Sequence, residues 1–471
     1  MNKNLIYVLL ASTLATTIIG CNSGSTNNMT KPNQDTTSLT LMQKGLEKPT
    51  IVTKNNINNL LNKLQNQENI GSFIEIDYHQ ELQIDSKELK KLFSLLAKDK
   101  NITHLSLFNS QFLDEDISDI INNLPKNLTY LDLSGNGINH EIMLDILSEL
   151  PQDLTYLDLS GNNIDNEIAI YIAQNMKNLT NLKLNLHVNR FNDIRATNTL
   201  IMPQLINERH FLSDEGAKAI AKNLEKLTSL SLSANRISDS GVIAIAQNMK
   251  NLTFLDLRNN DVTDTGVVSV ANNMRKLTFL ALGSDTENGA RGRNGQIYTQ
   301  ITNTSIQAIA QYLKNLTILN LDGVAVNSVG LSDIAKNLTK LTSLYFNGNK
   351  IQHSSVEHIT QYLTSLTNLT LVNADIGDDS VSIIAKNMKN LKYLDLNTNK
   401  ITNNGAQQIS YGLKNLTHLD LNSNVIGDFG ANDIIRNLNK LNYLDLSNNK
   451  ISNKVIRAIK LQYAPIMSYQ I

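Results

Sequence analysis

The sequence predicts an α/β solenoid in which one short strand and one helix alternate in every repeated unit. Three observations predict this fold class: a unit of about 25 residues recurs thirteen times, its leucines alternate as in a strand, and apolar residues at helical spacing follow. The first apolar positions of the units are residues 102, 128, 154, 179, 227, 252, 277, 316, 341, 366, 391, 416 and 441. Each unit buries its apolar side only against its neighbours, so both ends of the array need polar covers.

The unit that begins at Leu252 illustrates the predicted strand. Leu255 and Leu257 alternate with Phe254 and Asp256. A strand with one buried face requires this period of two, because successive side chains point to opposite sides. We therefore expect the leucines to face the core and Phe254 and Asp256 to face away from it.

The second half of the same unit predicts a helix. Apolar residues stand at i, i+3, i+4 and i+7 of one helix face, at Val267, Val270, Ala271 and Met274. Thr263 or Asp264 precedes them and can cap the first turn.

An asparagine stands between strand and helix in eight of the thirteen units. Its side-chain amide can donate to and accept from backbone groups that have no ladder partner once the strand ends. These residues are Asn136, Asn162, Asn235, Asn260, Asn349, Asn399, Asn424 and Asn449.

The repeated pattern resembles the leucine-rich repeat. "LTYLDLSGNNI" at Leu154 and "LNYLDLSNNKI" at Leu441 follow its spacing, L-x-x-L-x-L-x-x-N-x-L. A strand and a helix within 25 residues resemble the ribonuclease-inhibitor class of these repeats. This resemblance covers residues 102 to about 463 and implies a curved solenoid, with a parallel sheet on the concave face and helices on the convex face. It says almost nothing about the ligand.

The first residues predict a secretory signal peptide. Lys3 is followed by an apolar run from Leu5 to Ile19, which is shorter than the roughly 20 residues of a membrane-spanning helix. Ile18-Ile19-Gly20-Cys21 resembles the lipobox of bacterial lipoproteins, in which the cysteine becomes an acylated N-terminus. The resemblance implies a bacterial envelope protein, held at the outer membrane or displayed on the surface through Cys21.

Composition divides the rest of the chain into segments. We expect a signal peptide at 1–20, a disordered lipid-anchored tether at 21–50, an N-terminal cap at 51–101, repeats at 102–452, and a C-terminal capping helix and tail at 453–471. Long spacings predict insertions near 185–211 and 283–300, each between a strand and a helix.

The sequence offers little for catalysis, and we expect a non-enzymatic protein without cofactor or metal. It lacks the common nucleophile, zinc-protease and phosphate-loop motifs, and Cys21 is its only cysteine. His353 and His358 are five residues apart, which does not place them on one helix face. With 42 Lys and Arg against 43 Asp and Glu, the charge gives no reason to expect nucleic acid as a partner.

The outward strand positions predict an aromatic row beside an acidic row. The candidate partner-binding residues are Tyr130, Asp132, Tyr156, Asp158, Phe254, Asp256, Tyr393, Asp395, His418, Asp420, Tyr443 and Asp445. Tyrosine is enriched at interfaces because its stiff, amphipathic side chain loses little entropy on binding. Duplication of the units explains the same recurrence without any ligand.

The two insertions add Arg195, Arg291 and Arg293 as candidate contacts at the rim of the concave face. They either grip a partner or are tolerated insertions. We expect a monomeric protein that binds an unidentified protein partner, in a host-associated setting. Two alternatives stay open. The repeats also resemble those of Ran GTPase-activating proteins, which implies an intracellular regulator in a host cell, and a structural envelope lipoprotein would need no specific ligand.

Overall fold

The computed structural model describes residues 48–76, 84–110, 114–186, 211–284, 300–324, 326–463 and 468–470. The chain divides into two compact units that meet in sequence between Asn260 and Asp261. We call the described residues up to 260 the N-terminal unit and those from 261 onward the C-terminal unit.

The N-terminal unit contains eight described strands, which pair in parallel and in chain order. The strands are β1 (Thr50–Val52), β2 (Phe73–Ile76), β3 (His104–Ser106), β4 (Tyr130–Asp132), β5 (Tyr156–Asp158), β6 (Asn181–Lys183), β7 (Ser229–Ser231) and β8 (Phe254–Asp256). The helices are α1 (Ile57–Gln65), α2 (Ser86–Leu96), α3 (Asp114–Ile121), α4 (His140–Glu149), α5 (Asn166–Asn175), α6 (Asp214–Asn223) and α7 (Asp239–Asn248).

The C-terminal unit repeats this arrangement with eight further described strands, again parallel and in chain order. The strands are β9 (Phe279–Gly283), β10 (Ile318–Asp322), β11 (Ser343–Tyr345), β12 (Asn368–Thr370), β13 (Tyr393–Asp395), β14 (His418–Asp420), β15 (Tyr443–Asp445) and β16 (Ser468–Gln470). The helices are α8 (Asp264–Asn273), α9 (Asn303–Tyr312), α10 (Ser328–Asn337), α11 (His353–Tyr362), α12 (Asp378–Asn387), α13 (Asn403–Gly412), α14 (Asp428–Asn437) and α15 (Asn453–Tyr463).

The predicted fold class is confirmed. The thirteen strands that the repeats predict are β3 to β15, and each is followed by a helix. Strands β1 and β2 add to the sheet of the N-terminal unit, and β16 adds to that of the C-terminal unit. In the described part of the chain no helix is both long and apolar enough to span a bilayer.

The core of each repeat lies between its strand and its helix. Leu419 in β14 and Leu421 just after it have no exposed surface, and neither do Ala431 and Ile434 in α14. The apolar residues recur every second position in the strand and every third or fourth position in the helix. These spacings place them on one face of each element, so the two faces pack closely against each other.

The asparagine pattern has the predicted role. The Asn260 amide nitrogen donates to the Leu257 carbonyl at 3.1 Å and to the Leu232 carbonyl of the preceding repeat at 2.8 Å, and its Oδ1 accepts from the Ile237 N–H at 3.0 Å. All eight asparagines donate to a carbonyl of the preceding repeat. They therefore hold successive repeats together at the turn where the strand ladder stops.

The two residues predicted to cap α8 have different roles. Thr263 caps its own helix, accepting from the Thr265 N–H at 3.2 Å. Asp264 accepts instead from the Thr302 N–H at 2.8 Å, at the start of the next helix, α9. The first residue of one helix thus caps the following helix.

Candidate functional site

The residues that alternate with the buried leucines form one side of each sheet, which we call the strand face. Parallel pairing in register places equivalent residues of successive strands side by side, as with Tyr130 beside Tyr156 and Asp132 beside Asp158. Neighbouring strands lie about 4.8 Å apart, close enough for side chains of one row to touch.

An aromatic stack crosses four strands of the N-terminal unit. The ring centroids are 5.8 Å apart between Phe73 and His104, 5.4 Å between His104 and Tyr130, and 4.0 Å between Tyr130 and Tyr156. Burial and the neighbouring Tyr156 hydroxyl raise the pKa of Tyr130 well above its ordinary value, so both hydroxyls stay protonated at neutral pH. The next two positions of this row, Asn181 in β6 and Ser229 in β7, carry no ring, so the stack ends at Tyr156.

A second stack crosses β13, β14 and β15 of the C-terminal unit. The His418 ring lies 4.0 Å from Tyr393 and 4.0 Å from Tyr443, with interplanar angles of 16° and 3°. Burial lowers the pKa of His418 to about 3, so the imidazole is neutral at physiological pH. The three rings therefore form an uncharged block.

Each of the six predicted aspartates has a structural role that the sequence analysis did not recognise. Each accepts, through Oδ1, the backbone N–H of the residue two positions later, where the strand ends. The distances are 2.9 Å for Asp132, 3.0 Å for Asp158, 3.1 Å for Asp256, 3.0 Å for Asp395, 2.9 Å for Asp420 and 2.8 Å for Asp445. This turn explains why aspartate recurs in the repeats whether or not a ligand binds.

Basic side chains neutralise part of the acidic row in the N-terminal unit. Lys183 Nζ lies 3.0 Å from Asp158 Oδ2 and 5.5 Å from the centre of the Tyr156 ring. Arg258 donates from Nη2 to Asp256 Oδ2 at 2.8 Å. Lys183 was not among the residues predicted from the sequence, although it is recognisable as a lysine in "LKL" where other repeats have "LDL".

Asp132 lies at the edge of this charged group. Burial, followed by repulsion from Asp158, raises the pKa of Asp132 to about 7, and the hydrogen bonds from Ser134 and the charge of Lys183 only partly oppose the shift. At neutral pH this carboxyl is therefore protonated in part of the molecules.

The acidic row of the C-terminal unit has a different composition. Asp395, Asp420 and Asp445 stand in register on three adjacent strands. Asp420 is 8% exposed and Asp445 is 2% exposed. On these three strands no lysine or arginine occupies the strand face, even when the next strand-face position beyond each strand is included. The residues at these positions are Tyr393, Asp395, Asn397, His418, Asp420, Asn422, Tyr443, Asp445 and Ser447.

The remaining predicted site residues lie apart from the two stacks or outside the described chain. Phe254 is half-buried in β8, three strands along from Tyr156. Phe254 thus lies outside the aromatic stack of the N-terminal unit. Cys21, Arg195, Arg291 and Arg293 lie outside the described residues. Phe211, at the end of the first insertion, packs under the Arg236 guanidinium at 4.0 Å.

The histidine pair considered as a metal site bonds to neighbouring helices. His353 Nδ1 lies 3.1 Å from Ser380 Oγ, and His358 Nδ1 lies 2.7 Å from Ser332 Oγ. Within the part of the chain that the structure describes, no group of three histidine, cysteine, aspartate or glutamate side chains is placed to hold a metal ion.

Comparisons with known proteins agree with this architecture. A family model described as Leucine Rich repeat matches residues 125–147, 151–173, 223–246, 248–271, 387–410 and 412–434, and a second, Leucine Rich Repeat, matches 440–461. No curated protein matches the chain.

Two solved structures are similar over most of their length. Rad7, in the yeast complex of Rad7 and Elc1, is 15% identical with a TM-score of 0.51, over 99% of this chain and 94% of that chain. An internalin of Listeria monocytogenes is 24% identical with a TM-score of 0.46, over 88% of this chain and 93% of that chain. The family matches, together with the strand–helix units described above, identify the repeated units of this chain as leucine-rich repeats.

Proposed function

We propose that this protein is a non-enzymatic, membrane-anchored module that binds a partner protein through its strand face and its two insertions. The observation that carries the proposal is the stack of Tyr393, His418 and Tyr443 beside three carboxylates. Stiff aromatic side chains lose little conformational entropy on binding, and a polar row beside them provides orientation. Rad7, whose fold is similar, was solved in complex with a protein, Elc1.

The anchor in this proposal is Cys21, acylated after signal-peptide cleavage. The lipobox-like residues before Cys21 support it, as does the polar composition between Asn22 and Pro49, which suits a tether. The repeats would then be held at the surface of a bacterial envelope, where the partner can be a protein of a host.

A photo-crosslinking experiment tests the strand face as the binding surface. A benzophenone amino acid replaces Tyr443 in one variant and Phe429 in the other, and both proteins are displayed on the native cells and exposed to host-cell extract. Phe429 is a suitable control because it is 81% exposed on α14, away from the strand face. We expect discrete adducts only from position 443, and we expect them to disappear when Tyr393 and Asp395 are also replaced by alanine.

The alternative of a structural envelope protein gives the opposite result. If neither position yields an adduct, or if both yield the same adducts, the strand face is not a specific binding surface. Replacement of Tyr393 and Asp395 would then change only the stability of the repeats.

A further inference from the structure

We propose that one edge of the C-terminal unit binds the phosphate headgroups of an anionic lipid bilayer. Seven segments form this edge, each from the last two residues of a helix to the residue before the next strand. We call their exposed lysine and arginine side chains the basic edge; they are Arg275, Lys276, Lys314, Lys336, Lys340, Lys386, Lys389, Lys392, Lys414, Arg436 and Lys440. The inference goes beyond the proposed function, because it concerns a surface other than the strand face and needs no acylated cysteine.

The segments that carry the basic edge contain no carboxylate. None of the seven has an aspartate or a glutamate in its sequence. The opposite edge of the same unit, where strands end and helices begin, mixes both charges. There Lys400 pairs with Asp375, and Asp378 and Asp428 begin two helices. Uncompensated positive charge is therefore a property of one edge only.

Helix dipoles explain part of this pattern but not all of it. A cation is favourable at the C-terminal end of a helix, and there Lys314 Nζ donates to the Ala310 carbonyl at 2.6 Å. The repeats fold without a cation at these positions, however. In the N-terminal unit Glu225 stands at the position that Arg275 occupies, and Asp153 lies in another turn of the same kind. The excess of cations in the C-terminal unit therefore asks for a second cause.

The positive charge of the basic edge is not cancelled within the part of the chain that the structure describes. Lys340 Nζ donates to Asn315 Oδ1 of the neighbouring segment at 2.8 Å, which is a neutral acceptor. Four other side chains form neither a hydrogen bond nor an ion pair with described residues. They are Lys336, Lys386, Lys392 and Arg436. These cations are exposed and available to an anionic surface.

A tyrosine stands between two of these cations on neighbouring helices. Tyr411 is the last but one residue of α13, and the same position is Lys386 in α12 and Arg436 in α14. Its side chain is 59% exposed, with Lys414 Nζ 5.4 Å from the ring centre. An amphipathic ring beside lysine and arginine suits the interface of a bilayer, where the ring lies among the headgroups.

A bilayer fits the basic edge better than a polyanion with fixed phosphate spacing. Lipid headgroups diffuse in the plane of the membrane and can gather under cations that are spread over seven turns. Each lysine or arginine near an anionic leaflet strengthens binding by a factor of about five. Contact along this edge leaves the strand face open, as well as the end of β9 from which the second insertion departs in sequence.

Cosedimentation with vesicles tests the inference on the full chain carrying Cys21→Ser, which cannot be acylated at that position. The vesicles contain phosphatidylcholine alone or equal parts of phosphatidylcholine and phosphatidylglycerol. The edge variant adds Lys336→Gln, Lys386→Gln and Arg436→Gln; glutamine already occupies this position in α9 and α11. The control variant instead adds Lys350→Gln, Lys400→Gln and Lys450→Gln, the same change of net charge on the opposite edge. Circular dichroism will check that all variants are folded.

We expect the Cys21→Ser protein to bind anionic vesicles at least about thirtyfold more tightly than neutral ones, and added salt to remove this preference. The apolar run of residues 5–19 is common to all variants, so the preference reports on charge. The edge variant should bind anionic vesicles at least about tenfold more weakly, and the control should stay within about twofold. Equal losses in both variants, an unchanged edge variant, or equal binding to the two lipids would each overturn the inference.

Tryptophan fluorescence gives a second test that leaves the charges in place. The chain contains no tryptophan, so Tyr411→Trp introduces a single reporter at the basic edge. Phe429→Trp is the matched control, since Phe429 is 81% exposed in the first turn of α14, at the opposite edge. We expect anionic vesicles to shift the emission of Tyr411→Trp to shorter wavelength and to leave that of Phe429→Trp unchanged. The same shift in both variants, or none at position 411, would overturn the inference.

Soluble polyanions separate a bilayer from other anionic partners. Heparin or a single-stranded oligonucleotide that binds the Cys21→Ser protein but not the edge variant, without any vesicle binding, would assign the edge to a soluble polyanion and overturn the inference. Crosslinked adducts from position 443 without vesicle binding would contradict this inference and leave the proposed partner surface standing. Vesicle binding without adducts would support this inference and contradict the strand face alone.

Discussion

The asparagine between strand and helix concentrates several backbone contacts in one side chain. Asn162 is 2% exposed; its amide nitrogen donates to the Leu133 and Leu159 carbonyls at 3.0 Å each, and its Oδ1 accepts from the Ile138 N–H at 2.9 Å. Asn162→Ala leaves these buried groups unpaired, so the free energy of unfolding should fall by roughly 3 kcal/mol in urea titrations. Asn162→Asp keeps the acceptor and loses the donors, and should also be destabilising. Two stable variants would contradict this account.

Another residue-scale feature is a left-handed backbone just before that asparagine. Thr398 precedes Asn399 and has φ 56°, and Asn448 precedes Asn449 with φ 54°. This conformation is costly for a β-branched residue, whereas asparagine tolerates it. We therefore expect Thr398→Gly to stabilise the protein by about 1 kcal/mol, as seen in its urea midpoint, and Asn448→Gly to change it little. A loss of stability in Thr398→Gly would show that its side-chain contacts outweigh the strain.

His418 should make stability depend on pH. Its pKa is about 3 in the folded protein and 6.5 in an ordinary environment, so between these values the unfolded chain binds the proton and the folded chain does not. The free energy of unfolding is therefore complete above pH 6.5 and falls as the pH decreases toward 3. His418→Phe keeps the stack and removes the titration. From pH 7.5 to pH 5 the wild type should lose roughly 1–2 kcal/mol more than this variant, since the neighbouring carboxylates and tyrosines are common to both. Equal losses would contradict burial of a neutral imidazole.

At the scale of elements, the starts of several helices are tied to the next helix by a side chain, as at α5, α6, α12 and α13. Asn403, the first residue of α13, accepts from the Gly427 and Gly430 N–H groups of the next helix start at 2.7 and 2.9 Å. A Cβ on Gly430 would lie 2.8 Å from that oxygen and 2.9 Å from both Ala406 and Ile426 side chains. Gly430→Ala should therefore lower the free energy of unfolding by about 1–3 kcal/mol.

The matched control for the helix start is Gly377→Ser, because a Cβ at Gly377 would have nothing within 4 Å and serine is a favourable N-cap. This change should not lower the melting temperature. If Gly430→Ala were equally harmless, the close approach of Asn403 would not be restricting the helix start.

The sequence was sufficient for the repeated elements and for the asparagine turn, but not for the other side-chain contacts that cross repeats. Leucine spacing predicted strands β3 to β15, because alternation and helical spacing follow from backbone geometry alone. The cap of α9 by Asp264 and the pairing of Lys183 with Asp158 depend on which residues of successive strands stand in register. Sequence spacing alone does not determine that register where an insertion intervenes, as in the 45 residues between Lys183 at the end of β6 and Ser229 at the start of β7.

At the scale of the whole molecule, the proposed anchor makes Cys21 decisive for location. Membranes of the organism that produces the protein are separated by detergent phase partition. The wild-type protein should enter the detergent phase and Cys21→Ser the aqueous phase, because each buried methylene of an acyl chain contributes about 0.8 kcal/mol to membrane binding. Intact-mass analysis should show an acylated N-terminal cysteine on the wild type only. Asp158→Asn, far from Cys21 in sequence, serves as the control and should partition like wild type. A Cys21→Ser protein that stays in the detergent phase, or a wild-type chain that begins at Met1 without modification, would show that the lipid anchor is absent and that the repeats reach their partner by another route.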